Sequence, residues 1–416
     1  MEMFKKSLIA IAALGAFAGS AMAADISISG RIDTGFNYHK SKVTDTYSET
    51  VDEDTFGMKS GQYSGSRVTI KGSEELGNGM KAGFVLENGF NGDDGSMGQG
   101  GKLFGREAIV YLEGDFGHFS MGRVGALTAG VGSYSFVYNY LPYGTGWGDY
   151  AGNNGQFMLG DRDRFNNTIT YRSPEFAGVQ VFAQYSLDAD GQEDAKSGKN
   201  KRYGALGATY NVGAFSTGLV VDTIMNGRED AGQNTEDSLG VSWGASYDLG
   251  VTKPMILVQY GKNENKLAGF SNADFNWTDD DGAGRARANE GLKGFAIGLG
   301  AITPLFGGNL YTTVQYADGE FDGDLLAQET GFKADGVTAD WDNVKENLRY
   351  SGDVQRWGVT VGYDYPLSKR TKLYGFAAYN EGEFKYTEYS VTKDSTLSGK
   401  EKQKDIEAGV GLIHYF

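Results

Sequence analysis

The sequence predicts an all-β fold, a transmembrane antiparallel β-barrel of about sixteen strands. Three observations lead to this prediction. The chain opens with an export signal, its polarity alternates from residue to residue in many segments, and it is rich in glycine and aromatic residues but lacks cysteine. The alternation continues to the last residue, where Ala408, Val410, Leu412, His414 and Phe416 share one face.

The first residues have the three parts of a secretory signal. Lys5 and Lys6 are basic, an apolar run follows from Leu8 to Ala18, and Ala21-Met22-Ala23 has the small residues of a cleavage site. The apolar run is too short to cross a bilayer, and no later stretch approaches the roughly 18 to 20 apolar residues that a membrane helix needs. We therefore expect a cleaved signal peptide over 1–23 and one barrel domain over 24–416.

The composition narrows the class of protein. The chain of 416 residues has 64 glycines, 25 tyrosines and 24 phenylalanines but only 5 prolines, a balance typical of barrel strands and their aromatic girdles. A secreted soluble β protein with an aromatic core is the alternative, and the recurrence of alternation along the chain favours the barrel. The absence of cysteine excludes disulfides, thiol catalysis and zinc–thiolate sites.

The formal net charge of −16 argues against nucleic acid as a partner, because phosphates need clusters of Lys and Arg. Most of the acid lies in apparent loops, such as Asp279–Asp281 and Asp335–Glu346. We interpret this acid as solvated loop surface.

Strand candidates alternate with seven short and eight long connections, which gives sixteen strands with both termini at the short-turn end. The predicted short turns are 74–79, 113–117, 173–178, 211–214, 248–253, 303–308 and 366–371. The predicted long loops are 39–65, 91–102, 124–163, 188–200, 225–236, 263–289, 319–353 and 381–404.

The alternation also predicts which face meets lipid. A barrel of this size is too wide for side chains to fill, so its interior must be wet, whereas lipid requires an apolar belt and a closed sheet. The predicted lipid face therefore carries Ile26, Ile28, Ile32, Phe36 and Tyr38; Phe165, Ile169 and Tyr171; Val179, Val181, Ala183 and Tyr185; and Trp357, Val359, Val361, Tyr363 and Tyr365. The predicted lumen face carries the polar residues between them, among them Arg31, Asp33, Asn37, Arg164, Thr168 and Thr170.

Six segments, in order, resemble those of Gram-negative general porins. They are Asp25–Asp33; Arg67–Gly72 with Glu75–Gly79 and Lys81–Phe84; Phe116–Gly117 with Met121–Arg123; Arg164–Pro174; Pro366–Thr371 with Leu373–Tyr374; and Gly411–Phe416. The sequence departs from the family at Ile413 and Tyr415, which stand where such porins often have basic residues. The resemblance implies a passive diffusion channel for small hydrophilic solutes and ions. It also implies a homotrimer in the outer membrane of a Gram-negative bacterium, in contact with lipid and lipopolysaccharide.

The resemblance further implies that the third long loop, Val124 to Asp163, folds into the barrel and narrows it. Its candidate acids are Asp149, Asp161 and Asp163, and the candidate basic wall opposite is Arg31, Arg67, Lys71, Arg123 and Arg164, with Arg106 a weaker candidate beside Glu107. Opposed rows of charge would create a transverse electric field that selects solutes by charge. The basic wall favours the passage of anions. Alternatively, single arginines only anchor loop carbonyls or pair with Asp33, Glu87 and Glu107.

Two other classes of function compete with a general channel. An enzyme needs a base beside a nucleophile, and His39, His118 and His414 are too scattered to converge in a barrel, so we expect neither catalysis nor a cofactor. A substrate-specific channel for a sugar or an anion would need a row of exposed rings. The third loop has Tyr134, Tyr138, Tyr140, Tyr143, Trp147 and Tyr150, which could form such a row or could pack the loop against the wall.

Two further expectations concern metal and subunits. The run Asp274–Asp280 resembles a calcium loop but has Asp279 where the sharp turn needs glycine, so no metal site is expected. In the trimer that the resemblance implies, the early strands pack on a neighbour through Gly30, Thr34, Ser120 and Gly122 at outward positions, and the loop 91–102 latches onto the next subunit.

Overall fold

The computed structural model describes residues 25–47, 49–144, 146–149, 157, 160, 162–189, 200–225, 236–267, 269–271, 291–328, 331–332, 339–340, 345–390 and 394–416. The predicted signal peptide, Tyr150, Asp161 and the run Asp274–Asp280 lie outside these residues. Among the residues described, helix is limited to two 3-10 turns, Gln99–Gly101 and Val137–Tyr140, and no helix is long and apolar enough to cross a membrane.

The rest is strand and connection. The strands are β1 Asp25–Asp45, β2 Val51–Ser60, β3 Arg67–Gly77, β4 Met80–Gly89, β5 Glu107–Gly114, β6 Gly117–Gly125, β7 Arg164–Arg172, β8 Val179–Asp188, β9 Arg202–Val212, β10 Phe215–Met225, β11 Leu239–Tyr247, β12 Lys253–Glu264, β13 Lys266–Leu267, β14 Phe270–Ser271, β15 Leu292–Leu305, β16 Gly308–Gln328, β17 Gly331–Phe332, β18 Ala339–Asp340, β19 Lys345–Pro366, β20 Thr371–Ser390 and β21 Ser395–Tyr415.

In the described part of the chain, sixteen of these strands form one closed antiparallel barrel, which leaves out β2, β13, β14, β17 and β18. Each barrel strand pairs with the next, and β1 closes the ring on β21 from Arg31 opposite Tyr415 to Asp45 opposite Glu401. The predicted strand number and the antiparallel barrel are confirmed. Closure pairs the backbone around the whole ring, as lipid requires.

The predicted loop boundaries were wrong at three hairpins. The segment 39–65 contains the end of β1 and all of β2, which pair with each other. The segments 319–353 and 381–404 are largely strand, because β16 pairs with β19 out to Gln328 and β20 pairs with β21 out to Ser390. These extensions mix charged residues with apolar ones such as Phe56, Phe321 and Phe384, so the sequence shows no clean alternation although the ladder continues. The first turn is also tighter than 74–79, since Gly77 already faces Met80.

The two faces of the barrel have the predicted polarity. Ile28 and Val361 are 63% and 48% exposed on the outside, whereas Asp33, Thr170 and Asp364 are fully buried on the inside. Polar side chains thus pack inward and large apolar ones point outward, the reverse of a soluble barrel.

A bulge in β7 corrects one predicted face. Asn167 has a φ of 46°, and the pairing of β6 with β7 shifts register at this point. The shift puts Phe165 on the same side as Thr168, and its buried ring stacks on Tyr203 at 4.4 Å between centroids. Phe165 therefore does not face lipid, although Ile169 does.

The predicted outward positions on β6 were wrong by one residue. Phe119 and Met121 are exposed on the outside, whereas Ser120 is buried on the inner face. Gly30 and Thr34 do lie on the outer side of β1, but the ring of Phe416 covers Gly30 and Gly92 lies against Thr34.

Candidate functional site

The described residues of the third long loop, between β6 and β7, contact inward-facing positions of the strands. The loop leaves β6 through Ala126 and Leu127, which are fully buried, and continues into the 3-10 turn Val137–Tyr140. Its described residues contact β9, β10, β11, β12, β15, β16, β19, β20 and β21. The loop is therefore in contact with much of the wall.

Glycines on the inner side of the strands accommodate the loop. A Cβ atom built at Gly244 in β11 would lie 2.5 Å from the Cβ of Tyr140, closer than real Cβ atoms approach. The same holds for Gly218 against Phe136 at 2.8 Å, Gly298 against Leu141 at 2.6 Å, Gly300 against Pro142 at 2.5 Å, Gly358 against Phe157 at 2.8 Å and Gly362 against Trp147 at 2.8 Å. We call these six residues the glycine track. Only glycine lets the loop lie this close to the sheet.

Hydrogen bonds fix the same loop. The hydroxyl of Tyr138 donates to Oε1 of Gln259 at 3.2 Å, and that of Tyr143 donates to the carbonyl of Tyr311 at 2.7 Å. The described tyrosines of the loop and Trp147 are all at most 5% exposed: Tyr134, Tyr138, Tyr140, Tyr143 and Trp147. These rings pack the loop against the wall and do not form an exposed row.

The far end of the loop meets a segment of the first long loop, 61–66. The amide of Gly148 donates to the carbonyl of Gln62 at 2.9 Å, and the ring of Trp147 lies 4.5 Å from that of Tyr63. Asp149, one of the predicted acids, is exposed and pairs with Lys59 of β2. Its amide donates to Glu407 of β21 at 3.1 Å. Asp149 thus lies beside the seam where the barrel closes.

Arg162, at the returning end of the loop, was not among the sequence-predicted residues. Its buried guanidinium donates to Asp222 of β10 at 2.9 Å, to Glu264 of β12 at 2.9 Å and to Ser238 at 3.0 Å. Burial alone would lower the pKa of Arg162, but the two carboxylates outweigh it and hold that pKa above its usual value. Asp222 and Glu264 occupy inner positions on their strands. Two acidic residues on the inner face were the only feature of the sequence that could have indicated this site.

The predicted basic wall comes together in part. Arg31 and Arg67 both donate to the hydroxyl of Ser64, at 2.9 and 3.1 Å, and Arg106 donates to Glu87 at 2.8 Å. Arg67 lies 3.4 Å from the same carboxylate. We call Arg31, Arg67 and Arg106 with Glu87 the arginine cluster. Arg106, the weaker candidate, is thus a full member.

Lys71 follows Arg67 on the inner face of β3 and interacts electrostatically with Glu107. Its side chain is exposed, so it adds a positive charge next to the arginine cluster without belonging to it. The expected pairing with Glu87 is therefore present for Arg67 and Arg106, and Asp33 interacts electrostatically with Arg31.

Arg123 and Arg164 differ from expectation. Arg123 continues the outward series of Phe119 and Met121 on β6, so it does not have lumen parity. Its guanidinium donates to the carbonyl of Gly105 at 2.8 Å and to Asn166 at 2.6 Å. Arg123 therefore holds the end of the second loop to β7.

Arg164 pairs with its neighbour Asp163, with both carboxylate oxygens at 2.8 Å. Asp163 was expected to oppose the basic wall, but it lies next to one of its arginines. The reason is local, because adjacent residues at the start of β7 can form this pair without any contribution from the fold. The predicted opposition of acidic loop and basic wall does not include Asp163.

The three histidines are in different places. His39 lies 3.2 Å from Asp405, His118 lies 2.7 Å from both Glu113 and Tyr134, and His414 lies 2.9 Å from Thr371. The structure does not bring them together. Within the described ranges, no group of three or more His, Asp or Glu side chains is arranged to hold a metal ion.

Comparison with known proteins gives a consistent result. A family model described as Gram-negative porin matches residues 10–385. The chain is similar to an outer membrane porin protein of Bordetella pertussis, with 28% identity over 99% of this chain and 100% of the relative. It is also similar to outer membrane porin protein 32 of Delftia acidovorans, with 29% identity over 99% and 100%.

Solved structures share the fold. An anion-selective porin from Comamonas acidovorans has a TM-score of 0.61 and 24% identity, covering 95% of this chain and 100% of its own. The outer membrane channel DcaP of Acinetobacter baumannii has a TM-score of 0.54 and 15% identity, covering 95% and 99%.

The glycine track leads to a prediction. In Gly244→Ala the new methyl group overlaps Tyr140, so the loop must move off the wall. We expect a loss of about 1–3 kcal/mol in the free energy of unfolding and a lower single-channel conductance, because the loop moves towards the barrel axis. Urea titration in lipid vesicles and planar-bilayer recording measure the two effects. Gly57→Ala in β2 is the matched control, since a Cβ there meets nothing within 4 Å. Wild-type behaviour of Gly244→Ala would contradict the prediction.

Proposed function

Because the chain belongs to the family of Gram-negative porins, we propose that its third long loop narrows the pore and that its arginine cluster sets the solute preference. The protein is a passive diffusion channel for small hydrophilic solutes and forms a multi-pass barrel in the outer membrane.

The narrowing by the loop is supported by its contacts. The loop contacts barrel strands from β9 round to β21 on the inner side, so it occupies space that solutes would otherwise use. The glycine track and the hydrogen bonds of Tyr138 and Tyr143 hold it against the wall, so the pore is narrowed by a fixed element. Pore width and charge at such a point decide which solutes pass.

A general channel is favoured over a substrate-specific one. The described aromatic rings of the loop are buried, so they offer no surface on which a sugar ring could stack. Solute passage then depends on size and charge.

The preference for anions rests on the arginine cluster. Arg67 and Arg106 share one carboxylate, Glu87, while Arg31 interacts electrostatically with Asp33 and Lys71 with Glu107. These four basic side chains outnumber the three carboxylates by one. In a confined lumen such an excess attracts anions more strongly than at an open surface. Arg162 contributes no excess, because Asp222 and Glu264 offset its charge. The similar porin from Comamonas acidovorans is described as anion-selective, which supports the proposal.

No enzymatic role is proposed. The chain belongs to a channel family, and its histidines have unrelated partners on separate strands. Hydrolysis of lipid or peptide by the purified protein would contradict this.

A homotrimer is proposed from the outer surface. The exposed apolar side chains of β1 and β2 lie on neighbouring outer faces, and Phe56 is 74% exposed although it stacks on Phe36. A contiguous apolar patch of this kind fits a second copy of the chain. Gly92 in the loop 91–102 contacts Thr34 and donates its amide to Ser60 of the same chain at 2.7 Å, so the latch onto a neighbour stays a prediction. Chemical crosslinking that yields only monomers in mild detergent would contradict the trimer.

A signal peptide over 1–23 is proposed from its basic start, apolar run and Ala-Met-Ala end. Sequencing of the amino terminus of the protein isolated from outer membranes should begin at Ala24, and a start at Met1 would contradict the proposal.

The arginine cluster leads to a prediction about selectivity. In Arg31→Gln/Arg67→Gln the excess positive charge of the pore is lost. The reversal potential in a potassium chloride gradient should therefore move towards the equilibrium potential of potassium. Planar-bilayer recording measures this. The shift should shrink at about 1 M salt, where charges are screened within about 3 Å. Arg370→Gln, in the exposed turn between β19 and β20, is the control and should leave the reversal potential unchanged. Equal reversal potentials for the double variant and wild type would overturn the assignment.

A further inference from the structure

The strand pairing omits six residues between β2 and β3, 61–66. Along one edge of β1, Thr34 pairs with Ser60 of β2 and Arg31 pairs with Arg67 of β3. Between these two pairs β1 advances three positions and its partner advances seven, so the partner has four residues more than a straight ladder needs. β2 and β3 therefore follow one line along β1, and 61–66 is a long bulge in that line. We call 61–66 the inner segment.

The inner segment lies on the lumen side of the wall. The amide of Gly61 donates to the carbonyl of Asp33 at 2.9 Å, and the amide of Ser64 donates to the Asp33 carboxylate at 2.7 Å. The hydroxyl of Tyr63 donates to Asp364 of β19 at 2.9 Å. Both aspartates are fully buried on the inner face, so the segment reaches from β1 across the closing seam to β19.

The inner segment also holds the end of the third long loop. The carbonyl of Gln62 accepts the amides of Trp147 and Gly148, the latter at 2.9 Å. The ring of Tyr63 packs on the rings of Trp147 and Tyr374, with centroids 4.5 and 5.3 Å away. The end of the loop is thus attached to a second element that projects from the wall into the lumen.

The same segment contacts the three arginines of the arginine cluster. The hydroxyl of Ser64 accepts from Arg31 at 2.9 Å and from Arg67 at 3.1 Å. The carbonyl of Gly65 accepts from Nε of Arg67 at 2.9 Å, and a Cβ atom built at Gly65 would lie 3.1 Å from Nη1 of Arg106. One neutral hydroxyl is therefore shared by two guanidinium groups.

Carboxylates compete with Ser64 for these two arginines. Asp33 interacts electrostatically with Arg31, and Glu87 lies 3.4 Å from Arg67. Hydrogen bonds between a guanidinium and a carboxylate are stronger than those to a neutral hydroxyl. Guanidinium groups released from Ser64 would therefore turn to these acids, and their positive charge would be offset instead of being presented to the lumen.

We propose that the inner segment is a second element of the pore constriction and that Ser64 is a positioning residue for Arg31 and Arg67. The inference rests on the proposed function, in which the arginine cluster sets the preference for anions. Ser64 is partly exposed, and on the inner side of a closed barrel its exposed surface faces the lumen. A solute that passes the end of the third loop therefore passes the inner segment as well.

The first test measures the reversal potential of planar bilayers in a potassium chloride gradient. Ser64→Ala removes the shared acceptor, and we expect the ratio of chloride to potassium permeability to fall about threefold, within the range of one lost hydrogen bond. Ser64→Thr keeps a hydroxyl and should restore most of the ratio. Ser368→Ala, in the exposed turn between β19 and β20, is the matched control and should leave the ratio unchanged. Far-ultraviolet circular dichroism checks that the variants fold.

An unchanged ratio in Ser64→Ala would overturn the positioning role, as would a loss of the same size in Ser64→Thr. Arg31→Gln/Arg67→Gln, recorded beside these variants, separates the two proposals. A shift in that double variant without one in Ser64→Ala leaves the anion preference standing and removes the role of Ser64. No shift in either variant removes both.

The second test determines whether the inner segment lines the pore. The chain has no cysteine, so Ser64→Cys introduces a single thiol, and Ser368→Cys is the control. A negatively and a positively charged methanethiosulfonate are added separately, mass spectrometry measures the rates of modification, and single-channel recording measures the current.

The ratio of the negative to the positive reagent's rate should be about tenfold higher in Ser64→Cys than in Ser368→Cys, because confined positive charge concentrates anions. Modification of Ser64→Cys should also lower the current, whereas modification of Ser368→Cys should not. Equal rate ratios, or a current that modification of Ser64→Cys leaves unchanged, would overturn the proposal.

Discussion

Hydrocarbon offers no hydrogen-bonding partner, so every backbone amide and carbonyl in the membrane must find one within the sheet. The pairing of β1 with β21 meets this requirement by closing the ring. Closure at sixteen strands then creates a lumen too wide to fill with wall side chains, and this explains the inversion of polarity. Buried Asp33 and Asp364 on the inside and exposed Ile28 and Val361 on the outside are consequences of one constraint.

The wide lumen also explains how the third loop is held. A wall lined only by large side chains would keep the loop away from the sheet, whereas the glycine track lets Tyr140, Leu141 and Trp147 approach the backbone. The burial of Tyr138, Tyr140, Tyr143 and Trp147 therefore serves the attachment of this loop. Arg162 completes the attachment at the returning end by joining the loop to Asp222 and Glu264 on two strands.

Charged side chains form separate clusters on the inner and the outer surface of the barrel. Inside, the arginine cluster faces the path of solutes, and Glu87 offsets only part of its charge. Outside, Glu383 lies within 3.4 Å of Lys385, Lys400 and Lys402. The formal net charge of the whole chain reveals neither cluster, because it sums residues that the barrel places on opposite sides of its wall.

The sequence by itself determined the barrel, its even strand number and most of its faces. Side chains in a strand alternate between two faces, so the polarity of successive residues indicates which face meets lipid and which meets the lumen. It also brought Arg31, Arg67 and Arg106 to attention as members of one wall. Only the tertiary structure decided the position of Phe165, since the bulge at Asn167 reverses the alternation without a signal in polarity. The partners of Arg162 were likewise decided by the fold, because which charges meet depends on where a loop of about forty residues crosses a closed wall.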